Sequence, residues 1–239
     1  MQGFRDPLPV LTAIFVLAVV AIAWAAETWG TAVYALSFWH YLVYALAYFF
    51  REISLKHFKR DAIILKSVSV AALVYVFLTT WPNLLSIMVI SAGFALNISA
   101  ARALGADRTY YGFEIGALPP ERLNVFPFSV MSHPMLIGNV VAYGGMLLDS
   151  GLRADWWPLA VLHVLLNVAI ILQEAYGDKN RLMGVTWSIT IFLLGSLGLL
   201  FGYLEIWPFA LAIIVISLGF GLVILRQYSK RTDGITPTT

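Results

Sequence analysis

Residues able to do chemistry are scarce in this chain, and they gather in one place. Ser129–Gly138 reads SVMSHPMLIG, with TYYG at Thr109–Gly112 and VFPF at Val125–Phe128 just ahead of it. Together they form a polar, Pro- and Gly-punctuated segment of about thirty residues between two apolar stretches, and connections that long are usually functional or disordered. The segment ends in His133-Pro134 at the mouth of the second stretch. Further on, His163, Asn167 and Glu174 stand four and seven residues apart, a spacing that sets all three on one helix face. That face leads to the end where Glu174 lies near the His-Pro-Met segment. A carboxylate at a helix end is a ligand for a cationic group. Asn97, Asn139 and Asn167 read as hydrogen-bond glue between helices, and His163 as a packing histidine before a proton carrier.

The elements that must position these groups are read from composition. The 239 residues are 60% hydrophobic and 12% charged, with mean hydropathy +0.83. Soluble domains average about 25% charged residues, so the chain is expected to be an all-α, polytopic membrane bundle. A spanning helix needs about 20 apolar residues. Eight candidates fit: Leu8–Ala26, Ala32–Phe50, Ala62–Thr80, Leu84–Leu104, Pro134–Leu148, Trp156–Gln173, Val185–Tyr203 and Pro208–Leu225. The first is longer than the ~7–15-residue core of a signal peptide and is expected to remain as a span. The fifth is short and carries Gly138, Gly144 and Gly145.

Charge placement orients the spans. Of the 15 Lys and Arg, Arg153 alone falls on the opposite side from all the others. The positive-inside rule then puts both termini and the His-Pro segment in the cytoplasm. The same spans exclude several functions. The last two contain no Lys for a retinal Schiff base, and four histidines, two of them in or beside loops, do not supply paired haem ligands. No charged ring suggests a channel, and no Walker or Rossmann glycine pattern is present. The chain has no Cys, and neither a metal nor a nucleic-acid partner is expected. A carrier using His163 and Glu174 stays open at this point.

A set of short motifs narrows the choice. In order they are Ser91-Ala92-Gly93, Leu104-Gly105, Thr109-Tyr110-Tyr111-Gly112, Gly116, Glu121-Arg122, Phe126-Pro127-Phe128, His133-Pro134-Met135-Leu136-Ile137-Gly138 and Gln173-Glu174. Over this stretch the chain resembles the integral-membrane phospholipid methyltransferases, the phosphatidylethanolamine N-methyltransferase group. That family carries Gly-x-Gly, T-Y-x-G, E-R, F-P-F, N-P-M-Y-x-G and Glu-Glu in the same order. Ser91, His133 and Gln173 depart from the pattern. His-Pro is the usual form in the wider class that includes isoprenylcysteine carboxyl methyltransferases.

The resemblance implies S-adenosylmethionine as cofactor and a membrane lipid as substrate. It implies cofactor contacts at Ser91, Gly93, Tyr110, Gly112, His133, Pro134, Met135, Gly138 and Glu174, with His133 and Glu174 as the catalytic pair. Gly93, lacking a Cβ, would let the cofactor approach the helix backbone. Pro134 suits a first helical turn, whose exposed amides receive a carboxylate. Arg102, Arg108 and Arg122 are candidates for the lipid phosphate, weighed against a role in setting topology. The expected organisation is an N-terminal helix pair with a basic loop (1–60), a four-helix methyltransferase-like core (61–182), and a C-terminal pair with a tail (183–239). The expected activity is N-methylation of phosphatidylethanolamine or its methylated derivatives. Another lipophilic substrate such as an isoprenylcysteine carboxylate, or a non-enzymatic carrier or scaffold, is the alternative.

Overall fold

The computed structural model describes residues 8–25, 27–50, 55–109, 118–119, 121, 123–176 and 181–203. Among these, all regular structure is helical: α1 (Leu8–Ala25), α2 (Trp29–Phe50), α3 (Leu55–Thr80), α4 (Leu84–Leu104), α5 (Ala106–Thr109), α6 (Pro134–Met146), α7 (Ser150–Tyr176) and α8 (Arg181–Tyr203). Three of them contain stretches long and apolar enough to cross a membrane, at Ala62–Thr80, Leu84–Leu104 and Ser150–Tyr176. Ala13–Ala25 and Thr186–Leu200 are shorter apolar stretches. The expected span Pro208–Leu225 lies outside the described residues.

Helix ends follow local chemistry. Asn83 caps α4, its Oδ1 accepting from Ser86 N at 2.9 Å. Gly105 ends α4 with φ 78°, a left-handed conformation that costs glycine little. The Asp149 carboxylate takes the Leu152 amide at 2.9 Å and so starts α7. The same carboxylate accepts the Asn83 amide at 2.9 Å and Asn83 Nδ2 at 3.0 Å. One Asn–Asp pair thus stitches the starts of α4 and α7 together. Backbone donors, Leu152 foremost and then Asn83, hold the Asp149 carboxyl below its ordinary 3.8. Beside this pair, Ser86 Oγ donates to the Gly145 carbonyl at 2.8 Å.

Packing runs as a chain of neighbours. α4 lies on α6, α6 on α7, α7 on α8, and α8 on α2, which also carries α1 and α3. Phe38, Leu159, Leu166, Ile170 and Ile191 are buried where α2, α7 and α8 meet. The α4–α6 contact is a backbone contact. A Cβ on Gly93 would lie 2.5 Å from the Gly138 carbonyl oxygen and from Ala142 N, and one on Gly138 would lie 2.6 Å from the Gly93 carbonyl oxygen. Only paired glycines allow the two helices to meet so closely, a packing mode common between membrane helices. By contrast α3 and α4 do not pack along their lengths, although only Trp81–Asn83 separates them. Near the other end of both helices, Lys59 Nζ reaches Asp107 Oδ1 at 2.7 Å.

Candidate functional site

The site begins at the start of α6. His133 is the residue before the helix, with φ −129° and ψ 58°, and Pro134 is its first residue. His133 makes no side-chain cap to its own helix. Its ring turns instead to α7, where Nδ1 lies 2.8 Å from Glu174 Oε2. Nδ1–H donates to the carboxylate, a charge-assisted bond of ordinary length. His133 Nε2 and Glu174 Oε1 have no hydrogen-bond partner among the described residues. The side chains are 22% and 26% exposed: half-sheltered, and reachable. With no side chain capping them, the first amides of α6 present the positive end of a helix dipole. One small region therefore offers helix-start amides, and a carboxylate oxygen and an imidazole nitrogen that no described residue engages.

Beneath this pair, toward the middle of the bundle, runs a line of asparagines. Asn97 Nδ2 donates to the Met135 carbonyl at 3.0 Å and to Asn139 Oδ1 at 2.8 Å. Asn139 Nδ2 donates to Asn167 Oδ1 at 2.9 Å. Asn167 Nδ2 donates to Tyr41 Oη at 3.2 Å and to the His163 carbonyl at 2.7 Å. All three are thus hydrogen-bond glue, and the glue links four helices. His163 is fully buried. Its ring stacks on Tyr143 and sits against Phe38, both centroids 4.2 Å away. Nδ1 bonds the Leu159 carbonyl at 2.8 Å, while Nε2 is unpartnered among the described residues. Gln173, beside Glu174 in sequence, is buried and bonds Ser188 of α8.

The other expected site residues fall in different places. Met135 contributes its carbonyl to Asn97. Pro134 and Gly138 are buried in the α4–α6 contact region. Gly93 faces α6, where a Cβ would lie 2.5 Å from the Gly138 carbonyl oxygen and from Ala142 N. Ser91 lies exposed on α4. Arg108 is engaged locally, with Glu121 Oε2 at 2.6 Å and the Pro119 carbonyl at 2.9 Å. Arg102 is exposed near the end of α4 and has no hydrogen-bond or ion-pair partner among the described residues. Tyr110, Gly112 and Arg122 lie outside the described residues. Sequence reasoning missed Tyr41 and the Asn83–Asp149 pair. An Asn just before an apolar run is an N-cap signal that marks Asn83; nothing local marks Tyr41.

Residues 81–179 match the model of the phospholipid methyltransferase family. That segment holds α4 to α7, including His133 and Glu174, whereas α1–α3 and α8 lie outside it. The chain is 30% identical over 92 residues to the phosphatidyl-N-methylethanolamine N-methyltransferase of Saccharomyces cerevisiae, covering 38% of this chain and 45% of that protein. It is 32% identical over 96 residues to phosphatidylethanolamine N-methyltransferase A of Dictyostelium discoideum, covering 40% and 45%. It is 30% identical over 84 residues to the phosphatidylethanolamine N-methyltransferase of Mus musculus, covering 35% and 42%. The chain thus spans less than half the length of these curated relatives. No solved structure matches it.

Proposed function

We propose that this chain, similar over residues 81–179 to phospholipid methyltransferases, is a membrane-embedded methyltransferase. On this reading it uses S-adenosylmethionine to N-methylate phosphatidylethanolamine or its methylated derivatives. The observation that carries the reading is the His133–Glu174 pair at the start of α6, 2.8 Å apart, with one atom on each partner that no described residue engages. The residues present fit the cofactor's chemistry. An amino-acid carboxylate suits the first amides of α6, and an ammonium group suits Glu174. Glycine at 93 lies against α6, and Ser91, Tyr110 and Gly112 are the residues proposed for the adenosine end.

S-adenosylmethionine supplies an electrophilic methyl group on a sulfonium centre. The protein's part is to bind, orient and manage one proton. Proximity and alignment supply most of such an acceleration. His133 Nδ1–H fixes one oxygen of Glu174, which leaves Oε1 to hold an amine or accept its proton. Arg102, exposed near the end of α4, is the candidate for the lipid phosphate, because Arg108 is already paired with Glu121. Eight spans with both termini and the site in the cytoplasm fit this chemistry, since a soluble cofactor and a lipid headgroup meet at one depth. The enclosure of His163 by Phe38, Tyr41 and Tyr143 rings favours the enzyme over a carrier, which needs a polar path past that histidine.

The test is incubation of the purified protein with methyl-labelled S-adenosylmethionine and a mixed-lipid vesicle containing phosphatidylethanolamine, followed by mass spectrometry of the lipids. Label on the ethanolamine nitrogen is expected. Failure to label any lipid, with the donor in excess, overturns the proposal.

A further inference from the structure

The asparagine line has a direction and an end that the family-matched segment does not contain. From Asn97 to Asn139 to Asn167, each Nδ2 donates to the next Oδ1, and the last donates to Tyr41 Oη at 3.2 Å. Both Nδ2 hydrogens of Asn97 and of Asn167 are used. Turning over one amide would set donor against donor, so the arrangement fixes which faces of α4, α6 and α7 meet. The first member holds the Met135 carbonyl, two residues past His133. Asn167 stands two turns before Glu174 on α7, on the same face. The His133–Glu174 bond depends on how far α6 and α7 are slid along one another, and the Asn139–Asn167 bond is a contact across that same seam. Tyr41 anchors it from α2. Its own ring is fixed, 3.9 Å from His40 and 5.7 Å from His163 between centroids.

We propose that Tyr41, through Asn167, Asn139 and Asn97, is a positioning residue that sets the geometry of the His133–Glu174 pair. The role belongs to the N-terminal helix pair, outside residues 81–179. The inference builds on the proposed site, and its test needs no methyl donor, so it can fail or stand separately from the methyltransferase reading.

The experiment is 15N NMR of the histidine rings in the full chain, reconstituted in lipid nanodiscs. With four histidines in the sequence, a His133→Gln variant assigns the signal. Tyr41→Phe keeps the ring and deletes the acceptor; Asn97→Leu cuts the line at its other end. Asn83→Ala, which loosens the far ends of α4 and α7, controls for mere loss of stability. The expected result is that Tyr41→Phe and Asn97→Leu both move the His133 ring nitrogen shifts while Asn83→Ala leaves them in place. Should Asn97→Leu not fold, Tyr41→Phe decides alone. Unchanged His133 signals in Tyr41→Phe, or an equal change in Asn83→Ala, overturn the proposal. Where methyl transfer is also measured, Tyr41→Phe is expected to lower kcat/KM about tenfold, within the ~100-fold that a 1 Å misplacement can cost, and Tyr41→Phe in an Asn167→Leu background to lower it no further.

Discussion

Two polar clusters hold α7 at its opposite ends, one to the start of α4 and the other to the start of α6, and they are built on different terms. In the Asn83–Asp149 cluster every group is spent: the carboxylate takes Asn83 N, Asn83 Nδ2 and Leu152 N, and Asn83 Oδ1 takes Ser86 N. In the His133–Glu174 cluster one bond is made, and one atom on each side is left without a partner among the described residues. A satisfied cluster has nothing left to offer a ligand. The helix starts differ in the same way, because α4 and α7 are capped by side chains and α6 has no side-chain cap from His133. The lesson is that both clusters hold helices together, and the one beside α6 is the one whose open atoms support the proposed site.

The comparison can be broken or sharpened at several points. Glu174→Ala should lower methyl transfer by on the order of 100-fold or more, the range for a lost acid–base group, with little change in thermal stability in detergent. A large stability loss with retained activity would make this cluster structural alone. Next in size is Gly138→Ala, whose Cβ would lie 2.6 Å from the Gly93 carbonyl oxygen. Overpacking of this kind costs about 1–3 kcal/mol, read as a lower unfolding temperature. Asn83→Ala removes the cap of α4 and should cost about 1 kcal/mol, while activity per folded molecule stays the same. Smallest is a pH effect. Asp149 has its carboxyl held below 3.8 by backbone donors, so its contribution to stability is complete above that value and fades as pH falls through the lower, folded one. A wild-type stability profile should show this loss only below about pH 4, and Asp149→Asn should flatten it.

Much of the fold was legible because hydrocarbon length is legible. Leu84–Leu104 coincides with α4, and Pro134 opens α6 as an N1 proline should. The differences lie where a helix continues past the hydrocarbon. α3 starts at Leu55, not Ala62, because the basic turn Lys56–Arg60 stays helical while solvated. α7 starts at Ser150, not Trp156, because Asp149 caps it there. α6 stops at Met146, where Leu147–Asp149 turn toward that cap. Facing of helices was less legible. Four- and seven-residue spacing put Asn167 and Glu174 on one side of α7, and the structure gives that side Asn139 and His133 as neighbours. Spacing along one helix carries no information about which residue of a distant helix it will meet. Tyr41 therefore could not be found from sequence, and neither could the close packing of Gly93 against the α6 backbone.

The most direct test of the central claim is equilibrium binding of S-adenosylmethionine to the purified protein in nanodiscs, comparing the two clusters. Wild type and Asn83→Ala should bind alike, and His133→Ala and Glu174→Ala should each lose most of the affinity while remaining folded. Unchanged binding in both His133→Ala and Glu174→Ala would contradict the assignment of the site.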